Sequence, residues 1–255
     1  MNTKYYLSNQ VIGALFLGIC VWGAGCAHAI GSGIEGTSPR AVKPFSRLIV
    51  SGRMVVNLEI GNDNSVSISG DDNLISRVKV VNDRGTLRIQ APKGTIQKRD
   101  LEVTVVTRHL SGIAASLTEN VIINVSGKSL DTIDVRLSGV GNLVVNELNA
   151  TSIRAQMDGT GILRVSGGAR ELDFRMSGLG TADFERLCTH TADVEVHGMG
   201  TVVVNADEFL DATVRGLGKI SYVGDPSIQR DVKGGGRVET RDGKVSVACA
   251  SGLTM

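Results

Sequence analysis

Between residues 127 and 240, hydrophobic and polar positions alternate along the chain, and a Gly-x-Gly pair recurs every 18–20 residues. In each repeat, the residues two, four and six places before the first glycine are mostly apolar, and those between them are mostly polar. Alternation with a period of two is typical of a β-strand that buries one face. The six pairs are Gly139 and Gly141, Gly159 and Gly161, Gly178 and Gly180, Gly198 and Gly200, Gly216 and Gly218, and Gly234 and Gly236.

The alternation resumes after each glycine pair, as at Leu143 and Val145 in the first repeat. Each repeat therefore predicts two short strands joined at a glycine corner, because glycine can adopt a positive φ there without a Cβ clash. A unit this short buries its apolar face only when equivalent units stack. The pattern predicts an all-β chain folded as a β-solenoid, similar to a parallel β-helix, with equivalent strands about 4.8 Å apart. An antiparallel meander is the alternative, but the constant phase of the pattern argues against it.

The part of the chain before the repeats has a less regular pattern. Strand-like segments alternate with candidate hairpin turns at residues 61–64 and 83–85. We expect a more irregular, partly antiparallel N-terminal β layer that caps the repeats. The predicted division of the chain is a signal peptide at 1–29, a linker without periodicity at 30–42, the N-terminal layer at 43–126, the repeats at 127–244, and a C-terminal cap or tail at 245–255.

The N-terminus resembles an export signal, because an apolar run over residues 11–22 is shorter than the roughly 20 residues of a membrane span. Two processing sites compete. The small residues that end at Ala29 fit cleavage after Ala29 and release of a soluble protein. Residues 23–26 instead resemble a lipobox, in which Cys26 would carry the lipid. Both alternatives predict an exported protein in the periplasm, in the outer membrane or on the surface of a bacterium.

Composition narrows the classes of function. The chain has 27 basic and 26 acidic residues, so its formal charge of +1 provides no electrostatic footprint for nucleic acid. Outside the export segment the cysteines are Cys188 and Cys249. An oxidising compartment permits a disulfide between them. Their positions in the sequence do not show that they meet, and we favour two unpaired cysteines.

Three neighbouring residues, Cys188, His190 and His197, suggest a metal site. Structural zinc needs four ligands and catalytic zinc needs three plus water. The sequence offers no evident further ligand, so we predict no metal and no cofactor. The glycine corners lack the following helix that a phosphate-binding loop requires, and the chain has no Gly-x-Ser-x-Gly nucleophile motif. We therefore predict that the protein is not an enzyme.

A row of charged residues is predicted to face outward, five places before the glycines. Such a row could bind a cation or a sugar, as acidic faces do in β-helix enzymes that act on polysaccharides. We favour a solubilising ladder with Arg154 between two aspartates, in which each pair contributes about a few tenths of a kcal/mol. The members are Asp134, Arg154, Asp173, Asp193 and Asp211.

The residue between the two glycines of a pair is apolar in most repeats. If side-chain direction continues to alternate through the corner, these residues form an exposed row, which would be a possible contact surface. If the double glycine reverses the direction, they are buried. The sequence leaves both alternatives open for Val140, Thr160, Leu179, Met199 and Leu217.

Four segments precede the repeats with a characteristic order and spacing: FSRLIVSG at 45–52, NSVSI at 64–68, DDNLI at 71–75 and GTLRI at 85–89. Together with the serial repeats they resemble the head GIN domain family of bacterial auto-transporter adhesins, over about residues 40–240. The family usually has Ser-Gly-Ser-Gly at the corners, from which several corners of this chain depart. The resemblance implies an exported envelope or lipoprotein module with a β-solenoid fold.

The function that we expect is a non-catalytic binding or adhesion module of the cell envelope. Its partner would be an envelope glycan or protein. A self-associating scaffold of the envelope is the alternative, and a polysaccharide-active enzyme is a third interpretation that we favour less.

Mass spectrometry of the protein purified from bacterial envelopes is expected to give an N-terminus at Cys26 or at Ile30, because the preceding residues form an export signal. A lipidated Cys26 would add the mass of its acyl chains, and a Cys26→Ser variant would lose that mass. Cleavage after Ala29 would leave Ile30 at the N-terminus. Recovery of an intact chain beginning at Met1 would contradict the predicted processing.

Overall fold

The computed structural model describes residues 29–117 and 119–241, and in these most residues lie in β-strands. Residues 1–28 of the proposed signal peptide, with Cys26, and the tail at 245–255, with Cys249, lie outside the described residues. One short helix, α1, spans Asp72–Ile75. The strands are β1 Ala29–Ile30, β2 Glu35–Arg40, β3 Arg47–Ser51, β4 Met54–Ile60, β5 Ser65–Asp71, β6 Lys79–Asp83, β7 Thr86–Gln90, β8 Thr95–Ile96, β9 Glu102–Thr107, β10 Gly112–Leu117, β11 Asn120–Gly127, β12 Leu130–Met176, β13 Leu179–Gly216, β14 Lys219–Val223, β15 Ser227–Gly234 and β16 Arg237–Thr240.

Strands of successive repeats pair in parallel and keep the phase of the sequence pattern. Met176 of β12 is the partner of Val196 in β13, and both lie two places before the first glycine of their repeat. After the glycines, Val202 of β13 is the partner of Ile220 in β14, which in turn is the partner of Val238 in β16. Residues at equivalent positions are therefore neighbours across the sheet, as the alternation predicts.

The apolar positions before and after each corner face one another across a common core. The rings of Phe174, before a corner, and Phe184, after it, meet edge to face with their centroids 4.8 Å apart. Their contact shows that the two strands of a repeat pack against each other through their inner faces. Residues two places before the first glycine are buried at Leu137, Met157, Met176, Val196 and Val214.

The glycine corners bring neighbouring backbones too close for a side chain. A Cβ atom built on Gly159 would lie 2.1 Å from the carbonyl oxygen of Gly139, and one on Gly178 would lie 2.0 Å from that of Gly159. Gly161 in addition has a φ of +147°, a conformation that residues with a side chain rarely adopt. The corners therefore require glycine mainly because of close stacking, and β12 passes through two of them without interruption.

The N-terminal part continues the parallel sheet of the repeats, and its outermost strands are antiparallel. In β-sheet order, β7 and β10 flank β3, and β9 and β11 flank β4. Segment 86–107 thus stacks on the outer side of segment 47–60, although it comes later in the chain. Strands β6, β5 and β2 are antiparallel to their neighbours, so the predicted all-β chain with a mixed N-terminal layer is confirmed.

The segment predicted as a linker, 30–42, is instead largely part of the β-structure. Strand β2 pairs antiparallel with β5, and β1 pairs with β8. The prediction was wrong because β2 reads Glu-Gly-Thr-Ser-Pro-Arg, which has no apolar side chain to reveal a period of two. Backbone pairing alone places this strand in the sheet.

A buried aspartate holds the start of the described chain against the N-terminal layer. Asp71 is only 2% exposed, and its carboxylate accepts hydrogen bonds from the backbone N–H groups of Gly33, at 2.7 Å, and of Lys98 and Arg99, at 2.9 and 3.1 Å. Burial acts to raise the pKa of Asp71, but these three donors and the Arg99 charge hold it below its usual value. The ionised carboxylate therefore links three segments of the chain.

We expect Gly159→Ala to lower the free energy of unfolding by at least about 2 kcal/mol, because the added methyl group forces two backbones apart. Gly112→Ala is a matched control. Gly112 also lies in a parallel strand, but the atom nearest to a Cβ built on it is 3.6 Å away. The control should change the free energy by less than about 1 kcal/mol in denaturant titrations. Equal losses in both variants would contradict close stacking as the reason for the corner glycines.

Candidate functional site

An exposed row of side chains runs along the glycine corners, and we call it the corner ridge. All five of its residues point outward, and the four apolar ones are 46–65% exposed. The alternation of side-chain direction therefore continues through the corner, with the glycines at the inward positions. Thr160 and Leu179 are direct partners in the parallel sheet. The members of the corner ridge are Val140, Thr160, Leu179, Met199 and Leu217.

An open groove of about 500 Å³ lies beside the C-terminal part of the corner ridge. Met199 and Leu217 line it together with backbone of the neighbouring glycines. Its charged border is only partly neutralised, because Lys219 and Arg237 share one ion-pair partner, Glu239, and the three side chains together keep one positive charge. This surface therefore offers apolar side chains and backbone, with a single excess positive charge at its border.

The outward charged row brings together three aspartates. Asp173 and Asp193 are direct partners across the sheet, and Asp211 follows in the next repeat. Partial burial and the neighbouring carboxylates of Asp173 and Asp211 raise the pKa of Asp193. Like charges that face one another in a sheet are destabilising, so this part of the row costs stability when all three groups are ionised.

The predicted ladder through Arg154 is not formed among the described residues, where Arg154 has no carboxylate within ion-pair distance. The charges are balanced two places further along the strand. Arg175 pairs with Asp173 at 3.5 Å and with Glu195 at 3.3 Å, and Arg215 approaches Glu195 at 3.8 Å. The prediction was wrong in its choice of cation, because it considered only residues of one row and ignored adjacent rows.

Cys188, His190 and His197 do not come together. Cys188 is disulfide-bonded, which contradicts the expectation of an unpaired cysteine, and Cys249 lies outside the described residues. His197 Nε2 contacts Glu195 Oε1 at 2.6 Å, and this hydrogen bond, with the charge of Arg175, lowers the pKa of Glu195. His190 faces a different pair of carboxylates, described below.

His190 has two acidic neighbours that the sequence analysis missed. Its Nδ1 lies 3.0 Å from Asp207 Oδ1 and 3.8 Å from Glu208 Oε1. His190 and Asp207 are 17 residues apart, which is close to one repeat. The repeat length itself was the signal that could have placed them side by side.

The proposed processing site lies at the edge of the described residues. Ala29 is in β1, where it is the partner of Thr95. Among residues 29–117 and 119–241, no helix has the length and hydrophobicity required to span a membrane.

The sequence profile of the family described as "Putative auto-transporter adhesin, head GIN domain" matches residues 44–226. This match covers more than half of the chain, so the protein belongs to that family, as its segments and repeats indicated. Among curated proteins, none matches the sequence.

Three solved structures share the fold. A putative adhesin from Bacteroides fragilis has 23% identity and a TM-score of 0.71, with coverage of 83% of this chain and 99% of its own. A putative adhesin from Parabacteroides distasonis has 24% identity and a TM-score of 0.61, covering 84% and 100%. A putative lipid binding protein from the same species has 17% identity and a TM-score of 0.63, covering 84% and 99%. At these identities the likeness extends to the fold alone.

We expect Asp193→Asn to raise the free energy of unfolding at neutral pH by about 0.3 kcal/mol, because it removes the repulsion from Asp173 and Asp211. The raised pKa of Asp193 means that the folded state takes up a proton more readily than the unfolded chain. The penalty is therefore present above that pKa and is relieved as the pH falls through it, so the gain should disappear in acid.

Chemical denaturation of both proteins across the acidic range would measure this effect. Asp134→Asn is the control, since Asp134 belongs to the same row but has Gly112 as its strand partner. A gain that persists when Asp193 is protonated, or an equal gain in the control, would show that carboxylate repulsion is not the cause.

Proposed function

We propose that this protein is a non-catalytic, adhesion-type binding module of the bacterial cell envelope that contacts a partner protein through the corner ridge. The observation that carries the proposal is the row of four exposed aliphatic side chains, at four of the six glycine corners. Scattered exposed apolar residues are normal on a protein surface, but a contiguous row on a regular scaffold is typical of an interaction surface.

We further propose that the repeat part, residues 127–244, is a β-solenoid. Support comes from the parallel partners at equivalent positions and from the stacking of each corner glycine on its predecessor. Such a scaffold is rigid along its length, because each repeat is hydrogen-bonded to its neighbours. A row built on it presents its side chains without a large loss of conformational entropy on binding.

The chemistry of the corner ridge favours a protein partner over a glycan. Its side chains are Val, Thr, Leu, Met and Leu, which gain free energy by burial against another apolar surface. It has no aromatic ring on which a sugar could stack. Several adjacent weak contacts along one line add up in a single interface, so an extended protein segment is a suitable partner.

Export of the protein is part of the proposal. The N-terminal apolar run and the two processing alternatives at Cys26 and Ala29 support it, and the disulfide at Cys188 is consistent with an oxidising compartment. The family description supports a position on the outer side of the cytoplasmic membrane. The proposed locations are the periplasm, the outer membrane through a lipid on Cys26, or the cell surface.

A self-associating scaffold is the second candidate, because the sheet ends in open strands. Strand β6 is the last strand on one side of the N-terminal layer, and its Val81 is 52% exposed. An unpaired edge with an exposed apolar residue invites pairing with another copy. This alternative uses a different surface from the corner ridge, so the two can be tested separately.

The double variant Leu179→Glu/Met199→Glu is expected to weaken binding of the mature protein to envelopes of the producing bacterium by at least about tenfold, because it places two charges in an apolar interface. Bound protein would be measured over a range of concentrations. Prior protease treatment of the envelopes should abolish binding, whereas periodate oxidation of their glycans should not. Both substituted side chains are exposed, so the thermal unfolding of the variant should stay close to that of the wild type.

Val81→Glu is the matched control, since it charges a similarly exposed apolar residue on another surface. It should leave envelope binding unchanged. Sedimentation velocity of the three proteins tests the alternative, because Val81→Glu would abolish self-association through the β6 edge. Wild-type binding by the double variant, or its unfolding, would contradict the role of the corner ridge, and binding that only periodate removes would indicate a glycan partner.

A further inference from the structure

A cluster of three potential metal ligands lies at the bend of the repeat opposite the glycine corner. His190 stands about midway in sequence between Leu179 and Met199 of the corner ridge, and Asp207 and Glu208 follow one repeat later. One donor atom from each of the three side chains lies within 4.8 Å of the others. This site is independent of the corner ridge and of the function proposed for it.

The spacing of the donor atoms suits a small divalent ion. Zinc bonds to imidazole nitrogen and carboxylate oxygen are about 2.1 Å long, so the ligand atoms of a tetrahedral site are about 3.4 Å apart. The distances of 3.0 and 3.8 Å from His190 Nδ1 to the two carboxylates bracket this value. Small rotations of exposed side chains are sufficient to bring the three donors around one ion.

The charge at the cluster also favours a cation. Among the described residues, neither Asp207 nor Glu208 has a Lys or Arg within ion-pair distance, and each has His190 as its ion-pair partner. Glu195 is different, because it is paired with Arg175 and Arg215 in addition to His197. Two carboxylates that share one imidazole retain negative charge, which a divalent ion would neutralise.

The backbone around the cluster is held in place. Thr189, next to His190, donates a buried hydrogen bond from its hydroxyl to the carbonyl of Asn205, at 2.6 Å. The Asn205 side chain donates to the carbonyl of Glu185 at 3.2 Å. These two bonds link the segment that carries His190 to the segment that carries Asp207 and Glu208.

We propose that His190, Asp207 and Glu208 form a zinc site, with water completing the coordination, that clamps two adjacent repeats at this bend. The nitrogen ligand and the small number of donors favour zinc over calcium, which takes six to eight oxygen ligands. Because the ligands come from two repeats, zinc binds the folded chain in preference to the unfolded one and stabilises it.

Isothermal titration of the oxidised, untagged mature protein with zinc chloride tests the proposal. The wild type should bind one zinc ion per chain, and calcium chloride in excess should not displace it. His190→Ala and the nearly isosteric Asp207→Asn should each weaken zinc binding by at least about tenfold, as even less direct changes around metal sites do. Zinc should raise the melting temperature of the wild type but not that of either variant.

His197→Ala is the matched control, because His197 also contacts a carboxylate but one that already has arginine partners. It should bind zinc as tightly as the wild type. The proposal is overturned if the wild type does not bind zinc, if binding survives in both site variants, or if His197→Ala loses it equally. Circular dichroism of each variant without zinc shows whether it is folded. If His190→Ala does not fold, Asp207→Asn still tests the site.

Discussion

Successive repeats approach closely at the glycine corners, where the carbonyl oxygen of one glycine leaves no room for a Cβ on the next. Parallel strands can keep their normal separation through a sharp bend only if nothing projects between the backbones there. The glycine pairs satisfy that condition in repeat after repeat. The alignment of the apolar columns, and therefore the common core, depends on it.

Because the corner preserves the alternation of side-chain direction, the pairing of strands determines both which residues stack in the core and which stack on the outer surface. The parallel pairing of β12 with β13 stacks Met176 beside Val196 in the core and places Leu179 beside Thr160 on the outside, with a shift of one residue between Arg164 and Gly167. It also lines up Asp173 with Asp193, which is unfavourable, and the cations of the adjacent row compensate only in part. Repetition thus multiplies favourable and unfavourable contacts alike.

The strands of the repeats could be predicted because their alternation records which face is buried. Other features depend on contacts that leave no such record. Strand β2 is held by backbone pairing with polar side chains, and the order in which segments 47–60 and 86–107 stack is set by their connections. The repeat length could have predicted the acidic partners of His190. The disulfide at Cys188 depends on a distance between two cysteines, which their spacing in the sequence does not reveal. Whether the side chains of the corner ridge point outward depends on whether the glycine pair preserves the alternation of side-chain direction, and the sequence pattern does not determine this.

The position of segment 47–60 between two segments that follow it in the chain has a consequence for biogenesis. A chain that emerges N-terminus first releases β3 and β4 early, yet both sides of this layer stay open until β7, β9, β10 and β11 have followed. No fragment shorter than about half of the protein can complete it. Strands β3 and β4 must therefore wait, with their edges unpaired, for strands that come later in the chain.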